Sequence, residues 1–258
     1  RLKFVKAEKP IVAQIWGSDP EKFFESAKII SKMGFDGLDI NMGCPDKKVV
    51  KKGAGGGLIN TPELAKEIIT AARKGAPKLP ISVKTRIGVN NIITADWISF
   101  LLLQNLPALT IHCRTVKEMS NVPAHWDEIK LAVKLKEKLT PKTLIIGNGD
   151  VISYDQGIDL AKNTGCDGIM IGRGIFNNLW IFNPKIDPKS ITPKMKIGVL
   201  KNHINLFNKT YSNNKNYDVL KKFYKAYISG FPEAKQLRIK LMATNSTNEA
   251  LDFLETYY

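Results

Sequence analysis

Short apolar runs and amphipathic stretches alternate through the first two thirds of the chain. Residues 11–17, 37–43, 81–87, 108–114, 143–146 and 168–171 each read as a strand. Between them the spacing predicts helices. Ser18-Asp19-Pro20 opens one that carries Phe23, Ala27 and Ile30 on a single face and stops at Gly34. Thr61-Pro62 opens another through Leu64, Ile68 and Ala72 to Gly75. Residues 97–103, 126–139 and a segment capped by Ser153 and ended at Gly165 complete the alternation. Strand runs this apolar belong in a parallel sheet covered on both faces, so the fold class is α/β. After residue 182 the strand signals stop. Residues 195–209, 219–229 and 234–242 read as helices, with a polar turn at 213–216.

Charge changes this picture more than composition does. Hydrophobic content of 43% and charged content of 24% are ordinary for a globular chain of 258 residues. No apolar run is long enough to span a bilayer, no secretory leader pattern is visible, and the expected location is the cytoplasm or an organelle interior. Cys44, Cys113 and Cys166 are scattered and odd in number, which argues against a disulfide framework and for a reducing compartment. Thirty-nine Lys and Arg against 24 Asp and Glu give a net charge of +15. Thirteen of those cations against six acids fall in 185–258, with Phe223, Tyr224 and Tyr227 among them. Solvated lysine-rich faces and a polyanionic partner such as nucleic acid both fit this balance.

Polar residues gather late in the strands or just after them: Gln14, Asn41, Cys44, Lys84, Arg86, His112, Arg114, Asn148 and Arg173. That end of a parallel sheet carries the site in a barrel and the ligand crevice in a doubly wound fold. Cys44 stands where the strand 37–43 breaks into Gly-Cys-Pro, followed by Lys47, Lys48 and the flexible glycine run 53–57. Lys84 is costly inside a parallel strand unless it faces a ligand or snorkels past the strand end. Gly147-Asn148-Gly149 and Gly172-Arg173-Gly174 are either ordinary turns or a phosphate cradle after the last two strands. Histidines and acids at ligand spacing are too few for a metal site.

In order, Asn-Met-Gly-Cys-Pro, Val-Lys-Thr-Arg, Ile-His-Cys-Arg-Thr, Gly-Asn-Gly-Asp and Ile-Gly-Arg-Gly resemble the tRNA dihydrouridine synthase family. Gly-Phe-Pro-Glu-Ala-Lys at 230–235 resembles its DusB-like branch. The resemblance implies a TIM-type (β/α)8 barrel that binds FMN, over residues 1–182, and a small helical tRNA-binding domain over 183–258. It implies NADPH as reductant, Cys44 as the acid that protonates C5 of the target uracil, and Asn41 and Arg86 as uracil ligands. Arg114 would lie near flavin or substrate. Gln14, Lys84 and His112 would meet the flavin and its ribityl chain, and Asn148, Gly149, Gly172 and Arg173 its phosphate region. Lys221 and Lys222 would meet tRNA.

Two residues depart from the family pattern. Cys113 stands where glycine is usual, adding a side chain near the flavin, and Phe223 stands for the histidine of an Arg-Lys-His motif. Counting back from the phosphate-binding strands makes 11–17 the third strand, so the first two βα units are expected to be absent. Such a sheet has two open edges, and the chain alone is expected to fold poorly or to lack FMN. A dihydroorotate or dihydropyrimidine dehydrogenase-like flavoenzyme shares the Asn-x-x-Cys-Pro loop, but its small substrate leaves the charge unexplained. A non-catalytic tRNA-binding protein would explain the charge alone.

Overall fold

The computed structural model describes residues 2–211 and 214–257. Six parallel strands are formed by the described residues: β1 (Val12–Ile15), β2 (Gly37–Met42), β3 (Ile81–Arg86), β4 (Ala108–His112), β5 (Leu144–Asn148) and β6 (Gly168–Met170). They pair in sequence order, so β1 and β6 are the edges. The crossovers carry α1 (Pro20–Lys32), α2 (Lys47–Lys51), α3 (Pro62–Gly75), α4 (Thr94–Leu102), α5 (Asp127–Leu139) and α6 (Tyr154–Thr164). Asp19 caps α1 as its spacing predicts, accepting from the N–H groups of Glu21 and Lys22.

The chain divides into two compact units, Arg1–Val151 with Asp155–Gly172, and Ile152–Tyr154 with Arg173–Tyr258. In the first, alternate strand residues have opposite fates. Leu38, Ile40, Met42, Ile81, Val83, Leu109, Ile111 and Ile145 are buried in one core with Ala27 and Ile30 of α1, Ile68 and Ile69 of α3, Ile98 and Leu101 of α4, and Ile129 of α5. The other parity carries the polar residues: the register pairs Gln14 with Asp39, Asp39 with Ser82, Asn41 with Lys84, Arg86 with His112, and His112 with Asn148. The strands are therefore not apolar throughout. They have one helix-packed side and one side that carries chemistry.

The second unit is helical: α7 (Pro193–Tyr211), α8 (Asp218–Lys221), α9 (Tyr224–Tyr227), α10 (Ala234–Ala243) and α11 (Thr247–Tyr257). The single helix expected over 219–229 is divided between α8 and α9. Lys222 and Phe223 keep right-handed dihedrals, but the bonds tighten to the i→i+3 kind, Phe223 N–H to Leu220 O and Ala226 N–H to Phe223 O. Ile197, Leu200, Ile204, Leu220, Tyr224, Leu237, Leu241 and Leu254 form the core. The Tyr217 hydroxyl reaches both the Tyr224 hydroxyl and Thr244 Oγ1, and burial pushes the Tyr224 hydroxyl pKa up. Of the predicted polar turn, Asn213 lies outside the described residues. Among those residues, no helix is long and apolar enough to cross a membrane.

Candidate active site

β2 ends at Met42, and the loop beyond it is fastened from several sides. The Asn41 Oδ1 accepts from Gly43 N (3.0 Å) and Cys44 N (2.9 Å), an Asx turn that fixes the first residues after the strand. The Cys44 carbonyl accepts from Gly56 N at 3.0 Å. The glycine run expected to be flexible is instead a buried 3-10 turn, Gly55–Asn60, seated on that carbonyl. Glycine is needed at 55: its φ is +56°, and a Cβ there would lie 2.8 Å from that of Cys44. Asp46 caps the short α2, placing Lys47 and Lys48 on a helix rather than in a loop. Cys44 itself is a partly exposed free thiol.

Behind the loop runs a chain of hydrogen bonds. Asn41 Nδ2 donates to Gln14 Oε1 (3.0 Å), and Gln14 Nε2 to Asp39 Oδ2 (2.8 Å). Ser82 Oγ donates to Asp39 Oδ1 at 2.6 Å. Burial, at 7% exposure, pushes the Asp39 carboxyl pKa up, while bonds from Ser82 and Gln14 oppose the rise.

The two arginines are buried and occupied by backbone. Arg86, 5% exposed, donates from Nε to Gly43 O and from Nη1 to Thr115 O and Met119 O, each at 2.9 Å. It ties the Cys44 loop to the loop after β4. Arg114, 2% exposed, donates to Val122 O at 2.7 Å and pairs through Nη2 with Asp150. Its Nη1 lies 3.3 Å from His112 Nε2. A guanidinium only donates, so His112 Nε2 accepts and its ring proton sits on Nδ1. Burial, then the charges of Arg86, Lys84 and Arg114, push that imidazole down to about 3, and it stays neutral.

Lys84 Nζ donates to Asn148 Oδ1 at 3.1 Å, and Asn148 Nδ2 in turn to Met170 O at 2.8 Å. Burial and the Arg86 charge push the ammonium down to about 8. Asn148 is the one hydrogen-bond partner of Lys84 among the described residues, which leaves two ammonium hydrogens for a ligand. Gly149 has φ +147°, and a Cβ there would meet that of Ala124 at 2.8 Å. At Gly172 a Cβ would meet open space. Arg173 opens a 3-10 turn of the second unit. Cys113 is wholly inside the first core, its thiol pushed up to about 12 by burial. In the second unit Lys221 pairs with Asp218 at 2.7 Å, whereas exposed Lys222 lies 4.8 Å from the Phe223 ring centroid.

The polar parity of the sheet thus brings together Gln14, Asn41, Lys84, Arg86, His112 and Asn148, with Cys44 on the loop beside them. Sequence reasoning missed Asp39, Asp150, and the Glu118–His125 pair at 2.9 Å. Asp39 is two residues before Asn41 and so on the same strand face, a signal available from period-2 counting. Asp150 is the last residue of the quoted Gly-Asn-Gly-Asp. Its partner lies 36 residues away, which no local pattern shows. Chemically, the arrangement offers donors suited to an electron-rich ring with carbonyl oxygens, next to a thiol that can carry a proton.

A family model described as Dihydrouridine synthase (Dus) matches residues 1–258. A "Probable tRNA-dihydrouridine synthase" of Staphylococcus epidermidis is 44% identical over 259 residues, covering 100% of this chain and 78% of that protein. A "Probable tRNA-dihydrouridine synthase 2" of Bacillus subtilis is 42% identical over 260 residues, with the same coverage. Among solved structures, DHODH in complex with ferulenol from Eimeria tenella overlaps at a TM-score of 0.47 and 14% identity. That overlap covers 62% of this chain and 51% of the other.

Proposed function

The chain belongs to the dihydrouridine synthase family, and we propose that it reduces uridines in tRNA to 5,6-dihydrouridine using FMN and NADPH. The observation that carries this reading is Cys44, a partly exposed thiol held by Asn41 beside the donor-lined face of the sheet. The donor set fits a flavin. Lys84 has two unspent hydrogens, His112 offers a neutral Nδ1–H, and Gly149 leaves backbone bare of a side chain. We assign Gln14, Lys84 and His112 to the ring and ribityl chain. Asn148, Gly149, Gly172 and Arg173 are assigned to the phosphate end, the asparagine also orienting Lys84.

When bound, FMN supplies the hydride that adds to C6 of the uracil. Reduction at C6 builds negative charge toward C5, and Cys44 Sγ–H gives its proton there. Asn41 and Arg86 hold the uracil, and Arg86 also braces Gly43 against the loop that holds Thr115 and Met119. Arg114 keeps His112 in one tautomer and stands near flavin or substrate. The catalytic part spans 1–182. Residues 183–258 hold the tRNA, a polyanion that the basic helical segment suits, with Lys221 and Lys222 among its contacts. A uridine inside folded tRNA must leave its stack to reach the ring, and a firm grip on the phosphates offsets that cost.

The test offers the protein an unmodified tRNA transcript, free uracil and free orotate, each with FMN and NADPH. Dihydrouridine in the transcript alone supports the reading. Turnover of a free pyrimidine instead would assign the fold to a small-molecule dehydrogenase, and tRNA binding without turnover would make it a binding protein.

A further inference from the structure

Asn41 is constrained from both ends. Backbone N–H groups can only donate, so the atom that meets Gly43 N and Cys44 N has to be Oδ1. Its Nδ2 therefore faces Gln14, whose facing atom has to be Oε1. That turns Gln14 Nε2 toward Asp39, and a carboxylate, which only accepts, is the group that satisfies it. Burial raises the Asp39 carboxyl pKa, and the Ser82 Oγ–H on the other oxygen, the Gln14 bond and the nearby charge of Lys84 oppose that rise. Every bond in the series points the same way, from the Cys44 backbone through two carboxamides to one buried acid.

Resting on the function proposed above, we infer that Asp39 is a positioning residue. Through Gln14 it fixes the one orientation of the Asn41 carboxamide that holds the Cys44 loop and presents an N–H to the base. The consequence for recognition follows from counting. Both lone-pair directions of Asn41 Oδ1 are taken by backbone, and one Nδ2 hydrogen is taken by Gln14. What remains is a single donor. Asn41 meets a base at a carbonyl oxygen, as O2 or O4 of uracil supplies, whereas a 4-amino group there would set donor against donor. An aspartate on the polar face of β2 thereby sets the chemical sense of a contact two residues along.

The relay needs one acceptor-only member, and moving that member along it provides a test. Gln14→Glu places two carboxylates face to face and breaks the series. Asp39→Asn combined with Gln14→Glu restores it. The carboxamide introduced at position 39 then donates to the carboxylate introduced at position 14, which still accepts from Asn41. The readouts are the rate at which iodoacetamide alkylates Cys44, with Cys113 and Cys166 buried, and the side-chain amide NMR signals of Asn41. Neither requires turnover. Gln14→Glu is expected to raise the alkylation rate about tenfold, the cost of one buried bond, and to broaden or shift the Asn41 amide pair. Asp39→Ala does the same where it folds. The double variant returns both readouts to within about threefold of the parent. Additive damage in the double variant, or an unchanged Gln14→Glu protein, overturns the relay. If the swap pattern holds but tRNA is not reduced, the functional reading fails and the relay stands. If tRNA is reduced but the double variant does not recover, the relay fails and the functional reading stands.

Discussion

Arg86 and Arg114 of the first unit and Lys215 and Lys222 of the second do different work. In the first unit Arg86 and Arg114 are almost wholly buried, and their guanidinium groups bind the protein's own carbonyls, His112 and Asp150. In the second unit Lys215 and Lys222 are exposed over aromatic rings, 4.1 Å from the Tyr211 centroid and 4.8 Å from that of Phe223. Buried cations of the first kind set geometry, because a desolvated charge must be fully partnered. Exposed cations of the second kind cost little to keep and meet an anionic partner on arrival. Net charge alone merges the two; burial separates them.

The contrast breaks first at Cys44. Cys44→Ala is expected to lower dihydrouridine formation by about 10²–10⁴-fold while tRNA binding, read by filter retention, stays at the parental level. Arg86→Met tests the clamp. Losing three bonds from a buried guanidinium is expected to cost about 2–4 kcal/mol in denaturant unfolding, with no change in the salt dependence of tRNA binding.

His112 gives a pH signature. Its folded value, about 3, lies below the ordinary 6.5, so the unfolded chain takes up the proton first. Between pH 6.5 and about 3, stability therefore falls as pH falls, by up to about 1.4 kcal/mol per unit. His112→Gln is expected to flatten that limb in unfolding titrations. The smallest effect belongs to the second unit. Lys222→Ala is expected to reduce the slope of log affinity against log salt by about one, without altering turnover at saturating tRNA. Lys221→Ala is expected to change it less, because Lys221 is already paired with Asp218.

Much of this was legible in the chain. The six strands, the α/β class and the polar strand ends follow from periodicity and turn residues, since each βα unit is a local pattern. The helix over 247–257 went unread although Ser246 and Glu249 form a capping signature, Glu249 N bonding to Ser246 Oγ and Asn245 N to Glu249 Oε2. The glycine run 53–57 read as flexible because glycine lowers local order; its burial against Cys44 depends on a contact no window contains. The same limit hid the partners of the site. For Arg86 the resemblance implies a uracil contact, and the backbone carbonyls it also reaches lie outside any local window. Its three carbonyls come from the loops after β2 and β4. Residue type and strand face can be counted from sequence, whereas the bond each side chain makes depends on which strands become neighbours.

The central chemical step is a proton passing from Cys44 to C5, and that transfer leaves an isotopic record. An unmodified tRNA transcript is reduced in D2O with FMN and NADPH, and the resulting dihydrouridine is characterised by mass spectrometry and NMR. The thiol exchanges its hydrogen with solvent, so the expected product is dihydrouridine carrying solvent deuterium at C5. Absence of dihydrouridine from the tRNA, or a reduced base with no deuterium at C5, contradicts the transfer.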